Sequence, residues 1–234
     1  MHRTIRRFSG NRLAALSPRA AGAPADPGAL LQAVSRAGRT ILSDYESKQV
    51  LALHDIPCVE TCLAHNEDEA VLAAALLGFP VLLKLHSHTL QDDSGGTWLV
   101  MSDAAGVRQG WQAIREAVIG RHGRQHFLGV TVQPAITSDG REFFVHGESH
   151  PNSGPALRYG RDPANRGAAN PWSLRELPAA EAIQFEQLLE NFRRLLAANP
   201  GIREINLQPL IVAGGQLLGL SARIVLQSPP GRPA

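Results

Sequence analysis

Apolar and polar positions along this chain follow two periods, one close to 3.6 and one close to 2, and the switches between them outline its elements. In "LSDYESKQVLALHDI", Ser43 stands three residues before Glu46, and Val50 and Leu53 follow on one helical face. That is a capping-box start to a helix. "PCVETCLA" predicts a short strand. "NEDEAVLAAALLGFP" predicts a second helix, with Asn66 as its cap, Glu69 three residues on, Gly78 as its stop and Pro80 beyond. The continuous apolar run "VLLKL" predicts a strand buried on both faces, and "TWLVM" predicts another. Val107, Trp111, Ile114 and Val118 then recur at helical spacing, and "FLGVTVQPAI" follows as a strand ended by Pro134.

The second half has a different rhythm. "SDGREFFVHGES" and "PALRYG" predict two strands, and the Pro/Gly/Asn-rich "RDPANRGAANPWS" predicts a loop. "AAEAIQFEQLLENFRRLLAAN" predicts a long amphipathic helix, with Phe185, Leu188, Leu189, Phe192, Leu195 and Leu196 inward. "REINLQPLIV" and "LLGLSARIVL", joined by "AGGQ", predict a terminal hairpin with a glycine turn. The first ordered half is therefore α/β, and the whole reads as two α+β lobes joined near residues 131–137. The expected divisions are an arm at 1–38, a first lobe at 39–133, a second at 134–226 and a loose tail at 227–234.

Composition narrows the class. The chain has 234 residues, 44% of them hydrophobic, which suffices for one or two cores. Its formal net charge of +2 offers no global argument for nucleic acid. No apolar run approaches the roughly 20 residues that span a bilayer, so no membrane partner is expected. The arm carries Arg3, Arg6, Arg7, Arg12 and Arg19 before its first acid, Asp26. A transit peptide has similar composition, but Arg and Ala are abundant throughout the chain, which favours a flexible basic arm. Cys58 and Cys62 read as core fillers rather than a redox or metal pair. A reducing cytoplasmic setting is expected.

Candidate chemistry gathers in "LLKLHSHTLQDDSGG". Lys84 closes an apolar run and loses hydration unless it meets an anion or snorkels to water. Gly95 and Gly96 suit either a phosphate-facing turn or a plain hairpin. Asp92 and Asp93 suit a magnesium site or a solvated loop tip. His86 and His88, two apart, would share one strand face as a metal pair, and either is also a potential phosphate-carrying nucleophile. Later, Glu204, Asn206 and Gln208 alternate with Ile205 and Leu207, a polar floor on one strand face.

With these pieces placed, the chain resembles the ATP-grasp domain of the nucleoside-diphosphate-forming acyl-CoA synthetases, such as the ADP-forming acetate–CoA ligases. The resemblance covers roughly residues 40–226. It is carried by "LSDYESKQVLALHDIPC", "ALLGFPVLLKLHS", "LGVTVQPAITSDGREFFVHGESHPNSGPALRYG" and "EINLQPLIVAGGQLLGLSARIVL". It implies an ATP-grasp fold of two lobes with ATP or ADP in the cleft between them. It also implies Mg2+, an acyl-phosphate step, a phosphate-relaying histidine and a CoA-binding acyl-CoA synthetase subunit as partner. The substrate class implied is a small carboxylic acid or its acyl-CoA. By the same resemblance Lys84 contacts nucleotide phosphates, and Thr131, Val132 and Gln133 frame the adenine through their backbone. Glu142 matches the acid of the following strand, Gly95 and Gly96 a glycine pair, and Asp93 the aspartate before them.

The departures fall on the chemistry. Counting back from the glycines, Leu90 stands where the family has its relay histidine and Gln91 where it has lysine. The loop is about two residues short, which brings His88 into the neighbourhood. The family's Glu-Leu-Asp-Ile-Asn-Pro-Leu becomes Glu204-Ile205-Asn206-Leu207-Gln208-Pro209-Leu210, and its Asp-Ala-Arg becomes Ser221-Ala222-Arg223. Glu204, Asn206 and Gln208 are thus the expected metal-facing set, with amides where a carboxylate belongs. The expected Gly-rich loop after "ALRYG" is cut to "RDPANRGAAN". The sequence reading is an ATP-grasp subunit of an ADP-forming acyl-CoA synthetase with impaired phosphoryl transfer. The alternatives are a catalytically degenerate module with a regulatory or scaffolding role, and an α/β domain without a small ligand.

Overall fold

The computed structural model describes residues 26–90, 98–136, 141–150, 154–161 and 173–227. Two antiparallel sheets form it, each backed by helices, so the architecture is mixed α and β without parallel pairing between named strands.

The smaller sheet runs in the order β1 (Cys62–Ala64), β4 (Gly129–Pro134), β2 (Val81–His86) and β3 (Trp98–Met101). Helices α3 (Glu67–Leu77) and α4 (Ala104–His122) cover one face of it. Each starts on a side-chain cap: Asn66 accepts from the Glu69 amide at 2.9 Å, and Asp103 from the Gly106 amide at 2.7 Å. Val81 and Leu83 of β2 and Val130 and Val132 of β4 meet Ala70, Ala74, Val107 and Ile114 in this core. Strand alternation therefore sends Lys84, His86, Thr131 and Gln133 to the opposite face.

The larger sheet runs β6 (Gly154–Gly160), β5 (Glu142–His150), β7 (Ile202–Ala213) and β8 (Gln216–Gly219), with β9 (Ala222–Leu226) also on β7. The expected last strand is thus two. Leu220 and Ser221 interrupt it, so β8 pairs the C-terminal half of β7 and β9 its N-terminal half. Helix α5 (Ala179–Ala198) lays Phe185, Leu188, Leu189, Phe192, Leu195 and Leu196 on this sheet. Ile205 and Leu207 point into that core, and Glu204, Asn206 and Gln208 point away from it.

The N-terminal region departs from expectation in two ways. Order does not wait for residue 39: Pro27–Arg36 is helix α1, capped by Asp26, whose Oδ1 accepts from the Gly28 amide at 2.9 Å. Its Leu31 and Val34 enter the larger core. Residues 41–58, expected in the first lobe, pack on the second. Ile41 bridges Val225, Cys58 bridges Gly219, and helix α2 (Asp44–Ala52) lies on β9 with Val50 and Leu51 buried. "PCVETCLA" consequently supplies two sheets and forms only a three-residue strand. Cys58 and Cys62 sit in different cores as free thiols. Burial pushes the Cys58 thiol up to about 12, so it stays protonated and inert. No described helix is long and apolar enough to cross a membrane.

Candidate functional site

The polar faces of the two sheets and the start of α2 enclose a cavity of about 300 Å³. Thr131 and His86 line it from the smaller sheet, and Glu204, Asn206, Gln208, Ser221 and Arg223 from the larger. Ser43, Asp44 and Tyr45 close one side.

A buried ion cluster ties the lobes together behind this wall. Asp44 Oδ2 lies 2.9 Å from Lys48 Nζ and 3.9 Å from Lys84 Nζ. Its Oδ1 accepts from Ser221 Oγ at 3.0 Å and from the Ala222 amide at 2.8 Å. Burial alone would raise the Asp44 carboxyl, but Lys48, Lys84 and these hydrogen bonds outweigh it and hold it below the usual carboxylate range. Lys48 also donates to Gln133 Oε1 at 2.8 Å and to Thr61 Oγ1 at 3.2 Å. Its ammonium is held below the usual lysine value by burial first and by Lys84 second, against the pull of Asp44. Lys84, 8% exposed, donates to the Leu220 carbonyl at 3.2 Å, the group freed by the break between β8 and β9. Lys84 and Lys48 thus place two cations behind the cavity wall, balanced in part by Asp44, which itself lines the cavity.

The sequence-predicted residues divide as follows. Thr131, His88, Glu204, Asn206 and Gln208 line the cavity. Lys84 and Gln133 stand behind its wall, within the ion cluster. Val132 is fully buried in the smaller core, so only its backbone is near the cleft. Glu142 is exposed at the start of β5, outside the lining, because its strand enters the sheet there opposite Ile211. Gly95, Gly96, Asp92 and Asp93 lie outside the described residues. Leu90 lines the cavity with an aliphatic side chain where a relay histidine was expected. His86 is 6% exposed and edge-on to Tyr45 and His88, with ring centroids at 6.5 and 5.4 Å. Burial, then His88, lowers its pKa to about 4, so it is neutral at pH 7. His88 Nε2 is 3.9 Å from Glu46 Oε1, which Arg39 clamps at 2.6 Å.

Sequence reasoning missed Asp44, Lys48 and Tyr45. Their signal was present: Lys48 lies one turn after Asp44 and on the stripe that buries Val50 and Leu51. A lysine on a buried stripe needs a partner.

Besides Asp44 Oδ2, which is ion-paired with Lys48, three polar atoms of lining residues are buried without a hydrogen-bond partner among the described residues: Thr131 Oγ1, Asn206 Oδ1 and Arg223 Nε. Unmet buried donors and acceptors are costly, and here they belong to residues that line one cavity. The donor set does not suit Mg2+. That ion favours carboxylates and phosphate oxygens, whereas of the expected set only Glu204 is a carboxylate, Asn206 and Gln208 are amides, Asp44 is engaged by Lys48, Ser221 and Ala222, and Arg223 sits opposite Asn206 in the sheet register. Among the described residues no cluster of three or more His, Cys, Asp or Glu is arranged to hold a metal.

The sequence profile of the ATP-grasp domain family matches residues 33–178, more than half of the chain. The chain belongs to the ATP-grasp family. Among its relatives is the beta subunit of the ADP-forming acetate–CoA ligase II of Pyrococcus furiosus, 29% identical over 133 residues, or 56% of this chain and 56% of that subunit. Little more than half of that relative is therefore matched. The beta subunit of the ligase I of the same organism is 27% identical over 182 residues, 75% of this ATP-grasp chain and 78% of the relative. In three dimensions the chain is similar to the dinucleotide-forming acetyl-coenzyme A synthetase 1 of Ca. Korarchaeum cryptofilum, solved with coenzyme A and Ca-AMPCP. The TM-score is 0.75 at 23% identity, covering 86% of this chain and 100% of that one. A protein of Pyrococcus horikoshii Ot3 has the same TM-score and identity, covering 87% of this chain and 98% of its own. The two-sheet arrangement is thus an ATP-grasp fold.

Proposed function

We propose that this chain is the nucleotide-binding component of an ADP-forming acid–CoA ligase, with ADP or ATP in the cleft between the sheets. A CoA-binding subunit is its partner, a small carboxylic acid or acyl-CoA its substrate class, and the cytoplasm its setting. The observation that carries this reading is the pair of buried cations, Lys84 and Lys48, that flank the lining residue Asp44 directly behind the wall of a cleft lined from both sheets. Buried cations there suit the phosphates of a nucleotide. Thr131, the backbone of Val132, and Gln133 border the place for the base. The likeness to acetate–CoA ligase beta subunits supports the substrate class.

The chemistry of such a component is impaired in this chain. Leu90 offers no nucleophile, and loss of a covalent relay removes a step outright. Neutral groups at 206 and 221 remove charge that a catalytic metal needs. These same substitutions favour a second reading, a degenerate module that binds nucleotide in a regulatory or scaffolding role.

Calorimetric titration of the full chain with ADP tests the reading, repeated on Lys84→Met. Binding is expected in the wild type and a weakening of tenfold or more in the variant. Absence of binding sinks the nucleotide reading. ADP formation from ATP at ligase-like rates, with acetate, CoA and a CoA-binding subunit added, sinks the impairment.

A further inference from the structure

We infer that the cleft binds its nucleotide phosphates directly, with no requirement for a divalent cation, an inference that rests on the nucleotide reading above. The charges of the wall carry it. Among the described residues, Arg223, Asp44 and Glu204 line the cavity, and Lys48 and Lys84 stand behind it against Asp44, so the wall and its ion cluster together carry three formal positive charges and two negative ones, a balance of one positive charge. With aspartates at 206 and 221, as the family resemblance implies, the same three cations would face four carboxylates, a balance of one negative charge. Asn206 and Ser221 therefore move the wall by two charge units, the change that a bound divalent cation makes. The substitutions do in covalent structure what the metal does by binding.

The unmet groups point the same way. Arg223 lines the cavity, and its buried Nε donates to nothing described. A guanidinium N–H is a direct phosphate donor, and charge-assisted bonds of this kind are the strong ones. The Asn206 amide, in register with Arg223, presents an NH2 as readily as an oxygen. An aspartate at that position would repel the phosphate unless a cation stood between them.

Ser221 fits this arrangement too. Its hydroxyl and the Ala222 amide satisfy Asp44 Oδ1, and Lys48 and Lys84 balance Oδ2, so the one carboxylate of the ion cluster is neutralised from within the protein. Glu204 is the exception on this wall. Its Oε1 stands 3.9 Å from His146 Nδ1, and Glu148 Oε1 stands 2.8 Å from Nε2 of the same ring.

The experiment is a titration of the full wild-type chain with ADP in two buffers, one with excess MgCl2 and one with EDTA, alongside Asn206→Asp. The expected wild-type Kd differs between buffers by less than about threefold. Asn206→Asp is expected to weaken binding in EDTA by tenfold or more and to recover much of that in MgCl2. Thermal melts establish that the near-isosteric variant is folded. Wild-type binding that tightens tenfold or more with Mg2+ overturns the inference and leaves the nucleotide reading standing. Binding in neither buffer overturns both. A variant that matches the wild type in EDTA, while folded, also overturns the inference, because Asn206 would then not face the phosphates.

Discussion

His86 occupies a position where most side chains would be aliphatic: the buried end of a strand, 6% exposed, with an imidazole that burial keeps neutral. Its folded-state pKa of about 4 lies below the ordinary value of 6.5, so protons bind the unfolded chain more tightly. Stability from this group is fully present above pH 6.5 and falls as pH drops toward 4. Between pH 7 and pH 5 the loss is about 2 kcal/mol by linkage. Urea denaturation at both pH values checks it. His86→Leu should flatten this part of the pH dependence, and a variant with an undiminished slope would point to other groups. Lys84 was legible because it ends an apolar run that allows no water along its stem. Lys48 was not, because one lysine in a short helix looks solvated until α2 is seen to lie on β9.

Elements meet most tightly where β1 joins β4. Gly129 has φ +132, and a Cβ there would stand 2.2 Å from the Ala64 carbonyl oxygen, which is backbone and cannot swing aside. Gly154 also has a positive φ, +74, but open space around it. Gly129→Ala is therefore expected to cost more than about 2 kcal/mol, from strain plus displacement of β1. Gly154→Ala should cost about 1 kcal/mol, from the backbone angle alone. Denaturant midpoints of the two variants give the ranking, and equal costs would contradict the close approach at Gly129. The helices α2 to α5 could be read from caps and periodicity. Helix α1 was hidden because its stripe is brief and its surroundings are rich in Ala, Pro and Gly. The division of the last strand was hidden as well, since Leu220 and Ser221 carry no breaker signal and the interruption arises from pairing β7 along two halves.

For the whole molecule, a ligand in the cleft touches both sheets and α2, which already share the ion cluster of Asp44, Lys48 and Lys84. Ligand binding should therefore stabilise the chain as one unit. At ADP concentrations near 100 times Kd, linkage gives about 2.7 kcal/mol. For a chain of this size that is a rise in Tm of roughly 5–10 °C. Differential scanning fluorimetry reads it, and a single unshifted transition at saturating ADP would count against a cleft that engages both lobes.

By itself, the sequence determined the elements with strong periodicity, the ATP-grasp resemblance, and the replacement of acids and histidine by Asn206, Ser221 and Leu90. These are local facts, set by residue type and spacing. Only the tertiary structure decided that residues 41–58 serve the second lobe, that Lys48 and Lys84 share Asp44, and that Arg223, Asn206 and Thr131, each with an unmet polar atom, line one cavity. The physical reason is that charge balance and hydrogen-bond satisfaction depend on which groups lie within a few ångströms of each other. That is settled by sheet register and lobe packing, over separations that no local pattern records.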